Sequence, residues 1–313
     1  MSIPDKRNGV RQVKVDEDRE GQRIDNFLTA RLKGLPRSAV YRMIRTGQVR
    51  INGKRCKPTS RLETGDVVRI PPARIREDGQ VIIADRVLAQ VRAAIVYENA
   101  DFVVIDKPSG MAVHSGSGLP WGLVDVVRRI YPGEYVELAH RLDRETSGCV
   151  MLARNGNTLG YLTKLFRDDL IQKRYLCLLD GRMTNSLVEV DAPLLKVQDQ
   201  AESRVVVSEE GKSALTRFRL LQAYADSSYA EAELRSGRTH QIRVHAQSIG
   251  LPLTGDEKYC DAASLLKWKK RGLKRMFLHA HHLAFTAPSG EHLDFNANLP
   301  AELRAILDQL EPG

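Results

Sequence analysis

Nine consecutive residues, His140-Arg141-Leu142-Asp143-Arg144-Glu145-Thr146-Ser147-Gly148, make an almost wholly polar run between two apolar-rich ones, Val136 to Ala139 and Cys149 to Ala153. Short apolar runs of that length read as buried strands. The polar run is then a connection at the edge of a sheet, and the chain on either side must supply that sheet. Loops held on a rigid scaffold are where catalytic groups concentrate. Asp143 is therefore the first candidate for chemistry.

The pattern downstream of residue 84 supplies the strands. Ala94 to Tyr97 and Phe102 to Ile105 read as a hairpin, followed by a turn at Asp106-Lys107-Pro108-Ser109-Gly110. A helix is expected from Leu123 to Ile130, ended by Pro132-Gly133. Past the polar run, Leu159, Leu162, Leu165 and Phe166 repeat with helical spacing, with Asn157 as the expected N-cap. Lys173 to Leu179 is strand-like, with Tyr175, Cys177 and Leu179 on one face by the period of two. Leu187 to Val190, Arg204 to Val207, Ser213 to Leu221, Ser228 to Leu234, Phe277 to His282 and His292 to Phe295 are further strands. Helices are expected over 239–249 and 300–310. Many strands interrupted by few helices indicate an α+β domain with a mixed, mostly antiparallel sheet.

The N-terminal part reads differently. Residues 1–19 lack apolar periodicity and are expected to form a flexible tail. Ile24, Phe27, Leu28 and Leu32 then fall on one helical face, which Gly34 and Pro36 end. A second helix follows, with Val40, Met43 and Ile44 inward and Arg37, Arg42 and Arg45 outward. Val49 to Ile51 is a strand, Asn52-Gly53 a two-residue hairpin turn, and Val67, Val68 and Ile70 a further strand. Pro71-Pro72 and the polar residues after it read as a linker. At 313 residues the prior is two domains. They are placed at 20–83, linker included, and 84–313.

Charge separates the two. Arg23 to Arg61 holds eleven Lys or Arg and one acid, a net of +10, so the rest of the +9 chain is at −1. Positive charge concentrated this way is the footprint of nucleic-acid binding. A second basic run, Lys267 to Arg275, has six basic residues and no acid; with Trp268 it is expected to be another exposed contact. No apolar run approaches the roughly 18 residues that span a bilayer. The first 20 residues lack the apolar core of a secretory signal, and a cytoplasmic location is expected. None of the four cysteines lies in a C-x-x-C spacing, which argues against a disulfide scaffold or a zinc site of the usual kind. His279, His281 and His282 lack acidic or Cys neighbours in sequence, so no metal is expected there.

Taken alone, Asp143 has several readings. A glycosidase needs two carboxylates, and Glu145, two residues on in an extended segment, points to the opposite face. An aspartyl-phosphate site wants metal-binding acids nearby, and Arg144 and Thr146 are poor ligands. A purely structural Asp143, accepting turn hydrogen bonds from Thr146 or Ser147, stays open. Two distant stretches weigh against it. Lys173-Arg174-Tyr175 puts an aromatic ring among cations, and Ser236-Gly237-Arg238-Thr239-His240-Gln241-Ile242-Arg243-Val244-His245 puts cationic and imidazole groups on a turn and the helix it opens.

The segment from about 20 to 72 resembles the S4 RNA-binding domain: Arg23-Ile24-Asp25, Arg37-Ser38, Ile44 to Lys54 and Gly65-Asp66-Val67-Val68 carry the likeness. The ordered series D-K-P-S-G, V-H, H-R-L-D-x-x-T-S-G, K-R-Y-L and G-R-T-H-Q-I-R-V-H resembles the RluA family of pseudouridine synthases. Cys149 and Ser236 depart from the commonest residues at their positions. The resemblance implies isomerisation of uridines in large-subunit ribosomal RNA or its assembly intermediates. It implies no cofactor, no metal, no DNA or membrane partner, and a monomer. It makes Asp143 the essential carboxylate, Tyr175 the ring that packs on the flipped base, Arg243 the partner of Asp143, and Arg141 the group that fills the vacated space. His140, His240 and His245 are given structural or RNA-backbone roles. Arg23, Arg37, Ser38, Arg42, Arg45, Arg50, Lys54, Arg55 and Lys57 are expected on the RNA face of the S4-like domain, and Lys267, Lys269 and Lys270 at the second contact. The reading of a different class is an RNA-binding or ribosome-assembly factor that keeps the fold without the chemistry.

Overall fold

The computed structural model describes residues 9–32, 35, 37–72, 83–115, 119–198, 203–287 and 289–313. The expected breaks at Gly34 and Pro36, and the linker from 73 to 82, lie outside these. The N-terminal unit contains β1 (Arg11–Lys14), a short 3-10 turn (Glu17–Arg19), α1 (Ile24–Arg31), α2 (Arg37–Arg45), β2 (Arg50–Ile51), β3 (Lys54–Arg55) and β4 (Val67–Ile70). Its sheet runs β1-β4-β2-β3. Ile24, Phe27, Leu28, Val40, Ile44 and Val68 are buried in its core. Asn52 and Gly53 both take positive φ, at 49° and 77°, as a two-residue turn of this hand requires.

Residues 11–14 and 17–19, expected to belong to a flexible tail, are ordered. Residues 11–14 form β1, whose partner β4 lies more than 50 residues away, so the strand owes its order to pairing that local periodicity does not carry.

The larger unit begins with α3 (Asp85–Ala93), β5 (Ile95–Glu98), β6 (Phe102–Lys107), α4 (Leu123–Ile130), β7 (Glu137–Leu138) and β8 (Ser147–Ala153). There follow α5 (Gly156–Arg167), β9 (Gln172–Asp180), β10 (Leu187–Asp191), β11 (Leu194–Gln198), β12 (Ser203–Val207), β13 (Leu215–Ala223) and β14 (Ser227–Leu234). The chain continues through α6 (Gln241–Ser248), α7 (Ala262–Lys270), β15 (Leu278–Thr286), β16 (His292–Asn296) and α8 (Ala301–Leu307). The main sheet runs β10-β13-β14-β9-β15-β8-β6-β5, with β16 on β15 and β7 on β8. Its strand pairs are antiparallel except β15 with β8. The architecture is α+β.

The sheet is covered on both faces at its centre, which is why β6 and β8 read as unbroken apolar runs. Val103, Ile105, Val150 and Leu152 belong to the core cluster that holds buried residues of α4 and α6, while Phe102, Val104, Cys149 and Met151 belong to a second one with residues of α5 and β16. Each fully buried aliphatic side chain there contributes about 1.5–3 kcal/mol. Gly148 has φ +111°, and a Cβ on it would lie 2.2 Å from the Ala280 carbonyl oxygen. Only glycine lets β8 and β15 meet at that point.

Three local readings change. Asn155, not Asn157, caps α5, its side chain accepting the Thr158 N–H at 2.8 Å. The last helix is shorter than the expected 300–310. The segment around Lys267, expected to be an exposed contact, is helix α7, with Trp268 completely buried.

Candidate active site

The polar loop is held from below by the Asp106–Gly110 turn. Lys107 is fully buried and its ammonium donates to the carbonyls of Pro108, Met111 and Arg144 at 3.0, 2.8 and 3.0 Å. Burial pushes the Lys107 pKa down to about 7, while three carbonyl acceptors match the three N–H donors of the charged form. The Gly110 N–H donates to the Arg144 carbonyl at 2.9 Å, and Ser109 Oγ donates to that of Glu145 at 2.7 Å. The Thr146 N–H donates to the backbone carbonyl of Asp143 (3.2 Å), and Ser147 Oγ is engaged with His279 Nδ1 (2.9 Å). The turn is therefore made by main chain, and the Asp143 side chain points away from it.

That carboxylate faces a cleft lined by Tyr175 of β9, Leu278 of β15 and the start of α6. Arg243 Nη1 donates to Asp143 Oδ2 at 3.4 Å, and His240 Nε2 lies 3.8 Å from the same oxygen. Arg243 has a closer partner that the sequence reading missed. Its Nε and Nη2 donate to Asp256 Oδ2 and Oδ1, both at 2.7 Å. Burial works against the Arg243 charge, but the hydrogen bonds and charge of Asp256, followed by Asp143, raise its pKa above the ordinary arginine value. Tyr259 places its ring 4.9 Å from the guanidinium carbon and its hydroxyl 2.8 Å from His240 Nδ1. His240 sits at φ 55° in the left-handed region at the entrance to α6, which turns its ring toward the loop. Burial, and then the nearby Asp143 charge, push the Tyr175 hydroxyl well above its ordinary pKa and keep it neutral. Arg141 is exposed at the cleft mouth. Glu145 pairs with Arg144 at 3.4 Å, and among the described residues lining the cleft Asp143 is the one carboxylate.

The other motif histidines pack. His140 accepts the Met151 N–H through Nε2 (3.0 Å) and stacks on Phe166. His245 is fully buried between Thr216 Oγ1 and the Ala192 carbonyl. His281 and His282 face Glu231 and Asp294.

The segment 101–248 matches the family model for RNA pseudouridylate synthases, and 22–68 matches the S4 domain. The chain is 42% identical over 308 residues to ribosomal large subunit pseudouridine synthase C of Haemophilus influenzae, covering 97% of this chain and 96% of that one. This chain belongs to the RNA pseudouridylate synthase family. The Escherichia coli (strain K12) protein of the same name is also 42% identical over 308 residues, 96% of this chain and 97% of that one. Among solved structures, human RNA pseudouridylate synthase domain containing 4 superposes with a TM-score of 0.61 at 27% identity, covering 73% of this chain and 98% of that one. The protein is thus an RNA pseudouridine synthase with an S4 domain.

On the S4 domain of this pseudouridine synthase, Arg42, Arg45, Arg50, Lys54, Arg55 and Lys57 are exposed. Arg23 is tied down: its Nε and Nη2 donate to the buried carboxylate of Asp25 at 3.1 and 2.7 Å. The side chains of Arg37 and Ser38 lie outside the described residues. On α7, Lys269 and Lys270 are exposed, but Lys267 is paired with Asp180 and Asp226. Arg271 makes two bonds to Asp226, and the charges of Lys267 and Arg271 lie 5.0 and 4.8 Å from the Trp268 ring centroid. Two of the six basic residues of the second run, Lys267 and Arg271, therefore anchor a helix. Among the described residues no helix is long and apolar enough to cross a membrane.

Proposed function

We propose that this pseudouridine synthase isomerises selected uridines of large-subunit ribosomal RNA, with Asp143 as its essential carboxylate. The single observation that carries the residue assignment is the meeting of Asp143, Arg243 and Tyr175, 100 residues apart at the extremes, around one cleft. The large-subunit substrate is supported by the names of relatives that match over nearly the whole chain. In the reaction the N1–C1′ bond breaks and a C5–C1′ bond forms; C5 gives up its proton and N1 takes one. No atom is added and no electron is exchanged, so the chain's own groups suffice. An ionised carboxylate facing C1′ serves this chemistry either as nucleophile or by stabilising positive charge there.

The uridine must leave its stack to reach Asp143, at a few kcal/mol. Packing on the Tyr175 ring returns about 1–3 kcal/mol. Arg141, at the mouth, is assigned to the space that the base vacates. The exposed cations of α2 and the β2–β3 hairpin grip the RNA backbone. Release of tritium from RNA labelled at uridine C5 tests the reading. The parent protein releases it and Asp143→Ala does not; release by the Ala variant at the parental rate sinks the assignment, and a parent without release points to the binding-only alternative.

A further inference from the structure

Asp256 belongs to no motif singled out in the sequence, yet it makes the shortest contacts to Arg243. Its carboxylate is buried to 1% exposure and takes both Nε and Nη2 of the guanidinium, while Asp143 receives only Nη1 at 3.4 Å. The geometry is the fork that arginine forms with carboxylates, and it fixes the guanidinium plane. Asp256 is itself held. The N–H groups of Lys258 and Tyr259 donate to its Oδ1 at 3.0 and 3.2 Å. The turn before it depends on Gly255, at φ +72°, where a Cβ would lie 2.4 Å from the Arg275 carbonyl oxygen. Tyr259, three residues on in the same turn, places its ring against the guanidinium and receives the Val205 N–H from β12 on its hydroxyl at 3.2 Å.

We propose that Asp256 is a positioning residue for the isomerisation, holding Arg243 by one edge and offsetting its charge so that a single N–H is presented to Asp143. This rests on the reading of Asp143 given above. Two consequences follow from charge and geometry. Without Asp256 the guanidinium is free to turn its two-pronged edge onto Asp143 and close over the oxygen that the substrate needs. Its full positive charge also then acts on Asp143 alone. The other groups that face Asp143 are His240 at the entrance to α6, Tyr175 from β9 and, beneath the loop, Lys107. None is a carboxylate that could replace Asp256.

The test uses the full chain and unmodified large-subunit ribosomal RNA transcribed with uridine tritiated at C5, in single-turnover reactions across pH. Parent and Asp143→Ala are run first, so that a parent without release overturns the underlying reading and is told apart from failure of this one. Asp256→Asn, isosteric and still able to accept the Lys258 and Tyr259 N–H groups, is expected to lower the rate roughly ten- to a hundredfold. RNA affinity by filter binding is expected to stay within about twofold, and the acid limb of the rate profile to move to lower pH. A rate within about twofold of the parent overturns the proposal, as does a loss that disappears once rates are corrected for the folded fraction measured by circular dichroism. If Asp256→Asn does not fold, Arg243→Lys decides. It keeps the charge but cannot make the fork, so it must be slow; parental rates from it overturn the proposal.

Discussion

At the residue scale, buried groups set more of this protein's behaviour than exposed ones. Asp143 and Arg243 were visible in the sequence because ordered motifs surround them. Asp256 was not, because it follows a turn and no periodicity ties it to α6. Lys107 was read as a turn residue, and its burial under three carbonyls is a tertiary fact. His240 was given a structural or RNA-backbone role; its left-handed backbone places its ring nitrogen 3.8 Å from the Asp143 carboxylate, a proximity no motif spacing encodes. The packed histidines predict a pH dependence of stability. Burial holds His140 down to about 3 and His279 to about 4, against an ordinary value of 6.5. The unfolded chain takes up protons near pH 6.5 that the folded chain refuses. The stability tied to these groups is therefore present above pH 6.5 and lost as pH falls toward 4, at about 1.4 kcal/mol per pH unit per histidine. Thermal midpoints should drop from pH 7 to pH 5, and His140→Gln should flatten that slope. A midpoint that does not change over the interval contradicts the assignment.

At the element scale, the strand that follows the polar loop is fixed by one glycine. Gly148→Ala would drive a methyl group into the Ala280 carbonyl and break the parallel pairing of β8 with β15. The expected loss exceeds about 4 kcal/mol, or roughly 10 °C in Tm, measured by calorimetry on purified protein. A Tm within a degree or two of the parent refutes the close approach. Runs such as Val103 to Ile105 and Val150 to Leu152 made β6 and β8 legible, since burial on both faces leaves only apolar residues. β11 and α7 were missed for the opposite reason. In β11, Lys196 and Gln198 are exposed on a strand that belongs to a separate two-stranded sheet. Helix α7 buries little besides Trp268, so its lysines read as an exposed contact and not as a helix face.

At the scale of the whole molecule, charge is divided between two units, and the basic one is the S4 domain. If it meets about five phosphates, log affinity for RNA should fall with log salt at a slope of about −3.5. Reversing Arg42 and Arg45, both exposed on α2, should weaken binding and make the slope shallower by about 1.4. An unchanged slope in a salt titration removes the S4 face from the binding account. The concentration of charge was plain in the sequence; that Arg23 is spent on Asp25 and Lys267 on Asp180 was not, because both pairings depend on the fold. The order of the main sheet also has a consequence for synthesis. β15, near the end of the chain, lies between β9 and β8 and carries one wall of the cleft. The cleft cannot close until that strand has been made, whereas the S4 unit is complete within the first 72 residues. A chain still being translated carries its basic binding domain long before it carries a catalyst.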